Sequence, residues 1–187
     1  MMKYNFLRIL GRKVKYEARV LEIDKDDLIK RLEKMGAVKV GDFNQRRYVY
    51  DFKPVISNKW IRLRDNGEVV TLTIKEIKED TIDGTKELEI EVSDFEATDN
   101  ILQELGYNFR SYQENKRTRY MLDDIEIDID TWPKISTYVE FEGKNEENIL
   151  KVIANLGYKK DEIVTYGVSK IYEHYGLNID DYKILKF

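Results

Sequence analysis

Charged residues recur at every second position along several segments of this chain, and their types suit phosphate and metal chemistry. Arg62 and Arg64 share one face of a short segment, Lys75 lies on the same face as Thr71 and Thr73 in the next, and Arg117 and Arg119 repeat the spacing later. Carboxylates form matching rows at Glu87, Glu89 and Glu91, at Glu126, Asp128 and Asp130, and at Glu140 and Glu142. One opening segment mixes the signs as Lys15, Glu17 and Arg19. A guanidinium fork grips phosphate oxygens in parallel hydrogen bonds, while clustered carboxylates hold a hard cation such as Mg2+ through oxygen. A polyphosphate carrying a divalent metal would engage both signs at once.

Strands must carry these residues, because strict alternation with apolar neighbours is a period of two. Tyr16, Ala18 and Val20 oppose the opening charges; Ile125, Ile127 and Ile129 oppose the aspartates; Val139 and Phe141 oppose Glu140 and Glu142. Asp65-Asn66-Gly67, Asp83-Gly84 and Asp123-Asp124 are tight-turn signals, so the strands they join are antiparallel. With Arg46 to Phe52 counted, the pattern gives about eight strands. Four helices stand between them, each closed by a glycine. The first follows Asp24 with Leu28, Ile29, Leu32 and Met35; the second has Ser93 and Glu96 in capping-box spacing, then Ala97, Ile101, Leu102 and Leu105. A third runs from Asn145 through Ile149, Val152, Ile153 and Leu156, and a fourth spans Thr165 to Tyr175. The expected fold is α+β, a single domain over residues 1–187.

Alternation says which residues share a face, not where that face points. Charged faces turned to water over an apolar underside make an ordinary half-buried antiparallel sheet. If the eight strands instead close into a barrel, the charges line a space that holds side chains or one small ligand, and they must be paired, hydrated or bound to an ion and a ligand. A mixed lining could also neutralise itself, so the residues alone leave both arrangements open.

Composition removes other classes. The 187 residues include no cysteine, which excludes disulfides, zinc-thiolate sites and a cysteine nucleophile. The 32 basic and 36 acidic residues, with no long basic run, argue against a nucleic-acid partner. No stretch approaches the roughly 18 to 20 apolar residues of a membrane span, and the first ten residues are too polar for a secretory signal, so a cytoplasmic protein is expected. The single histidine, His174, argues against chemistry built on several imidazoles. Trp60 and Trp132, beside turns, are expected in the core.

The pattern resembles the CYTH family, the triphosphate tunnel metalloenzymes, which include class IV adenylyl cyclases, thiamine triphosphatases and inorganic tripolyphosphatases. The resemblance runs from about Lys13 to Gly176 and is most specific at Ile129-Asp130-Thr131-Trp132-Pro133-Lys134-Ile135, followed by Tyr138-Val139-Glu140-Phe141-Glu142-Gly143. It implies a closed eight-stranded antiparallel β-barrel, or tunnel, with flanking helices and charged faces turned inward. By the same resemblance, Glu17, Glu140, Glu142 and Asp130 hold Mg2+ or Mn2+, and Asp128 and Asp130, with Lys170, are catalytic. Lys15, Arg19, Arg62, Arg64, Lys75, Glu87, Glu89, Arg117 and Arg119 surround the substrate. That substrate would be a triphosphate small molecule, namely ATP, thiamine triphosphate or tripolyphosphate, and family members often pair as homodimers. The chain departs from the family's E-x-E-x-K opening, reading Lys15-Tyr16-Glu17-Ala18-Arg19 instead. Lys15 places a cation where a metal-binding carboxylate is expected, so a non-catalytic nucleotide or polyphosphate binder stands beside the enzyme as the alternative.

Overall fold

Eight strands run β1 (Leu10–Val20), β2 (Val38–Asp51), β3 (Lys59–Asp65), β4 (Val70–Ile77), β5 (Thr85–Val92), β6 (Ser111–Leu122), β7 (Ile125–Thr131) and β8 (Tyr138–Gly143) in the computed structural model, which describes residues 10–77 and 85–187. Neighbours pair antiparallel in the order β6-β2-β3-β4-β5-β1-β8-β7, and β7 pairs again with β6. The ring therefore closes, as expected of the tunnel. Two short strands lie outside it: β9 (Ile163–Val164) pairs with β1, and β10 (Ile184–Leu185) runs parallel to β6. Each is only two residues long, too short for alternation to reveal. The side chain of Lys15 and the Asp83-Gly84 turn lie outside the described residues.

Local chemistry sets the turns. Between β3 and β4, Asp65 accepts from the Gly67 amide at 2.8 Å and Asn66 from the amides of Glu68 and Val69, while Gly67 takes the positive φ of 89° that the turn needs. Between β6 and β7, Asp123 occupies the left-handed region at φ 53°.

The apolar faces of the strands point out of the ring, and the helices bury them. Helices α1 (Lys25–Lys34) and α3 (Glu146–Asn155) lay Leu28, Leu32, Ile149 and Ile153 over Ala18, Val20, Ile127, Ile129, Val139 and Phe141. Helix α2 (Phe95–Glu104) packs Phe95 and Leu102 against Tyr50, Ile61 and Leu63. Helix α4 (Val168–His174) sets Ile171 and Tyr172 against Trp132 and Tyr138 at one end of the barrel. With the outer faces covered by apolar helix surface, the charged faces have only the interior left.

Three helix details differ from the sequence pattern. The cap of α2 is Asp94, which accepts from the Ala97 amide at 2.6 Å, in place of Ser93. Ile101 and Leu105 are exposed; the buried stripe is Phe95, Asp99 and Leu102, because Asp99 turns inward to accept from the Tyr50 hydroxyl at 2.8 Å. The last helix starts at Val168, with Gly167 as an extended cap and Thr165 and Tyr166 joining it to β9.

Candidate functional site

A cavity of about 740 Å3 occupies the barrel. Its two halves differ in charge among the described residues. Around β2–β5, Arg47, Arg62, Arg64 and Lys75 outnumber Glu87 and Glu89, while Asp51 is held by Arg110 at 3.3 Å. Around β1, β6, β7 and β8, six inward carboxylates (Glu17, Glu126, Asp128, Asp130, Glu140 and Glu142) face three arginines (Arg19, Arg117 and Arg119). The ring order makes these two contiguous walls, one basic and one acidic.

On the acidic wall the arginines sit between carboxylates. Arg19 reaches Glu17 at 2.6 Å and Glu140 at 2.5 Å, and donates to the Tyr166 carbonyl at 3.2 Å. Arg117 grips Asp130 through Nε and Nη2 and reaches Asp128 at 2.5 Å and Glu140 at 3.5 Å. Arg119 takes the other side of Asp128 and meets Glu126 at 2.7 Å. Burial would pull Arg19 and Arg117 down, but their carboxylates outweigh it, so both guanidinia are more basic than usual. Glu140 shows the converse: despite burial, Arg19, Arg117 and Lys75 draw it down to about 2.

The basic wall is less well compensated. Lys75 pairs with Glu87 at 2.7 Å, and Thr73 donates to Glu89 at 2.6 Å, but Arg62 and Arg64 stand 3.4 and 3.7 Å from that same Glu89. Burial and the charges of Arg62 and Arg117 pull Arg64 down to about 10. Arg47, directly across from Arg64 on β2, is pulled down further by burial, Arg62, Arg64 and Arg117.

Of the residues picked out by sequence, Glu17, Arg19, Arg62, Arg64, Lys75, Glu87, Glu89, Arg117, Arg119, Asp130, Glu140 and Glu142 line the cavity, with Lys170 exposed at its rim. Asp128 lies behind Arg117 and Arg119 and does not line the cavity. Glu91 is exposed and outside the lining. Both tryptophans line the cavity; Trp132 is also buried, as expected, while Trp60 is half-buried. Arg47, Gln113, Glu126 and Tyr138 also face it. For Glu126 the signal was its place in the aspartate row; for Arg47 period two offered two adjacent arginines, Arg46 and Arg47, without saying which turns inward.

The acidic wall suits a hard divalent cation in donor type. Across β1 and β8, Glu17 opposes Glu142 and Arg19 opposes Glu140, so three carboxylates of adjacent strands fall in two successive inward rows. Arg19 already draws Glu17 and Glu140 onto one positive charge. Among the described residues no three acidic side chains are gathered into a metal shell, so a cation bound there competes with the Arg19 guanidinium.

Glu126 stands opposite Glu142 on β8 and beside Asp128; burial, then Asp128 and Glu142, push its carboxyl up to about 7 against the pull of Arg119. A carboxyl raised in the folded state contributes stability below its unfolded value of 4.5, and that contribution is lost as pH rises through 7. Glu126→Gln, which never ionises, is expected to gain stability relative to the native chain between pH 5 and pH 8. Melting curves at both pH values check this, and an offset independent of pH contradicts it.

The chain matches the CYTH domain family over residues 13–168. No curated protein matches it. Its fold is similar to a solved protein of Pyrococcus horikoshii OT3, with TM-score 0.73 and 21% identity over 84% of this chain and 98% of that one. A candidate adenylate cyclase from Vibrio parahaemolyticus gives TM-score 0.75 at 11% identity, covering 86% and 98%. A Hippeastrum protein described as a candidate adenylyl cyclase with a dominant triphosphatase activity gives 0.56 at 15%, covering 88% and 96%. No helix among the described residues is long and apolar enough to cross a membrane. A family match over most of the sequence, a closed eight-stranded ring and a charged interior agree: the chain belongs to the CYTH domain family.

Proposed function

We propose that the chain is a single-domain, divalent-metal-dependent enzyme acting on a triphosphate inside the barrel, with ATP, thiamine triphosphate and tripolyphosphate as the candidate substrates. The division of the cavity into a basic and an acidic wall supports this reading. Arg62, Arg64 and Lys75 would hold phosphate oxygens, and Lys170 at the rim would meet the entering phosphates. Mg2+ or Mn2+, held by Glu17, Glu140 and Glu142 with Asp130 nearby, would supply neutralisation of the charge that gathers on phosphate oxygens. Asp130, which lines the cavity in the grip of Arg117, would orient a nucleophile and accept its proton; Asp128, covered by two guanidinia, would hold Arg117 and Arg119 in position. Water as nucleophile gives hydrolysis, and the ribose 3′-hydroxyl of ATP attacking its own α-phosphorus gives cyclic AMP and pyrophosphate.

The test is incubation with each triphosphate plus Mg2+ or Mn2+, assayed for phosphate, pyrophosphate and cyclic AMP. Arg19 spanning Glu17 and Glu140, with Lys15 two residues upstream of Glu17, favours a second reading, a binder without turnover. No product from any substrate, with a triphosphate still raising the melting temperature, selects the binder. A gain of turnover in Lys15→Glu would show that the opening strand is what limits the reaction.

A further inference from the structure

Arg47 is 7% exposed, lines the cavity, and forms no ion pair among the described residues. Its Nη2 donates to Gln45 at 3.0 Å and to the Asn115 side-chain oxygen, both neutral acceptors, and its Nε is buried with no hydrogen-bond partner. Asn115 in turn donates to Asp130 at 3.0 Å, but Asp130 is already gripped by Arg117. The guanidinium lies 4.6 Å from the centre of the Trp132 ring, which fixes its plane without neutralising it. Directly across the sheet stands another cation, Arg64. A buried charge with an unfilled donor and a like charge beside it is costly to the fold, and an anion is what relieves it.

Strand register gives the anion's length. Asp51, Trp60, Lys75 and Glu87 form the cross-strand row nearest the loop at 52–58; Val49, Arg62, Thr73 and Glu89 form the next inward row, and Arg47, Arg64 and Thr71 the one beyond. Two such steps are about 13 Å along the strands. Lys75 and Arg47 therefore enter the cavity from rows about 13 Å apart along the strands, a spacing that suits a chain of several phosphates better than a single one. We propose that Arg47 is a phosphate-binding residue of the tunnel that contacts the phosphate group farthest from the 52–58 loop, and so favours triphosphates over shorter phosphates. This rests on the triphosphate reading given above.

Calorimetric titration of the full chain with orthophosphate, pyrophosphate and tripolyphosphate, each with and without Mg2+, tests it in the native protein, Arg47→Met and Arg47→Lys. Arg47→Met should weaken tripolyphosphate by roughly tenfold to a hundredfold, pyrophosphate much less, and leave the ligand-free melting temperature equal or higher, since an uncompensated charge is removed. Arg47→Lys, which keeps the charge and loses the fork, should fall between. Unchanged tripolyphosphate affinity in either variant overturns the assignment, as does equal weakening of all three anions. If the native chain binds none of the three, the triphosphate function itself fails; if it binds and the variants bind equally, only the role of Arg47 fails.

Discussion

Arg117→Met is expected to cost about 3–5 kcal/mol of stability, on the order of 10 °C in melting temperature, and to abolish triphosphate binding with it. The Arg117 side chain is 11% exposed and, among the described residues, is the one cation in contact with Asp128, Asp130 and Glu140 together. The two aspartates are almost wholly buried, so neither can turn to water when its partner is lost. The penalty is that of leaving charged groups buried and unpaired, which exceeds the net worth of the pairs themselves. Urea denaturation at pH 7 measures it. The loss should shrink toward pH 4, where the orphaned carboxylates take up protons, and Asp130→Asn in the same background should recover part of it. A loss below about 1 kcal/mol, the scale of a surface pair, would show that Arg117 is not the hub of this wall.

Glu140→Gln is expected to remove roughly 3 kcal/mol at pH 7 and to remove metal-dependent turnover. The figure follows from the fall of the carboxyl from 4.5 to about 2, caused by Arg19, Arg117 and Lys75 acting against burial. The sign follows from the depressed value: the contribution is complete above 4.5 and is lost as pH falls through about 2. The stability difference between native and variant proteins should therefore be constant from pH 7 to about 4.5 and vanish toward pH 2. A difference that ignores pH would mean that the glutamate acts by shape alone. The variant should also lose any melting-temperature gain produced by Mg2+ or Mn2+ alone, and an intact gain would remove Glu140 from the metal site.

Much of the barrel was legible because antiparallel strands repeat a simple rule. Ile125, Ile127 and Ile129 against Glu126, Asp128 and Asp130 fix β7 without any knowledge of its neighbours, and Asp65-Asn66-Gly67 fixes the turn from β3 to β4. Helix caps were nearly as clear, and the miss at Asp94 is one residue. The buried face of α2 was not legible, because Asp99 turns inward for a hydroxyl on β2 that lies 49 residues away in sequence. Arg47 escaped for a similar reason. Its neighbours Arg64 and Arg117 are brought to it by two different strand pairings, and its lack of a counter-ion is a property of that meeting.

The sequence by itself determined the existence of the eight ring strands and the four helices, the residues that share each strand face, and, through motif order, membership of the CYTH family. Only the tertiary structure decided that the charged faces turn inward, that the carboxylates gather on one wall and the unbalanced arginines on the other, and that Asp128 lies behind its arginines while Asp130 meets the cavity. The physical reason is closure. A strand's alternation is local and symmetric between its two faces, and the difference between inside and outside exists only once β7 pairs back onto β6 and the helices cover the apolar side.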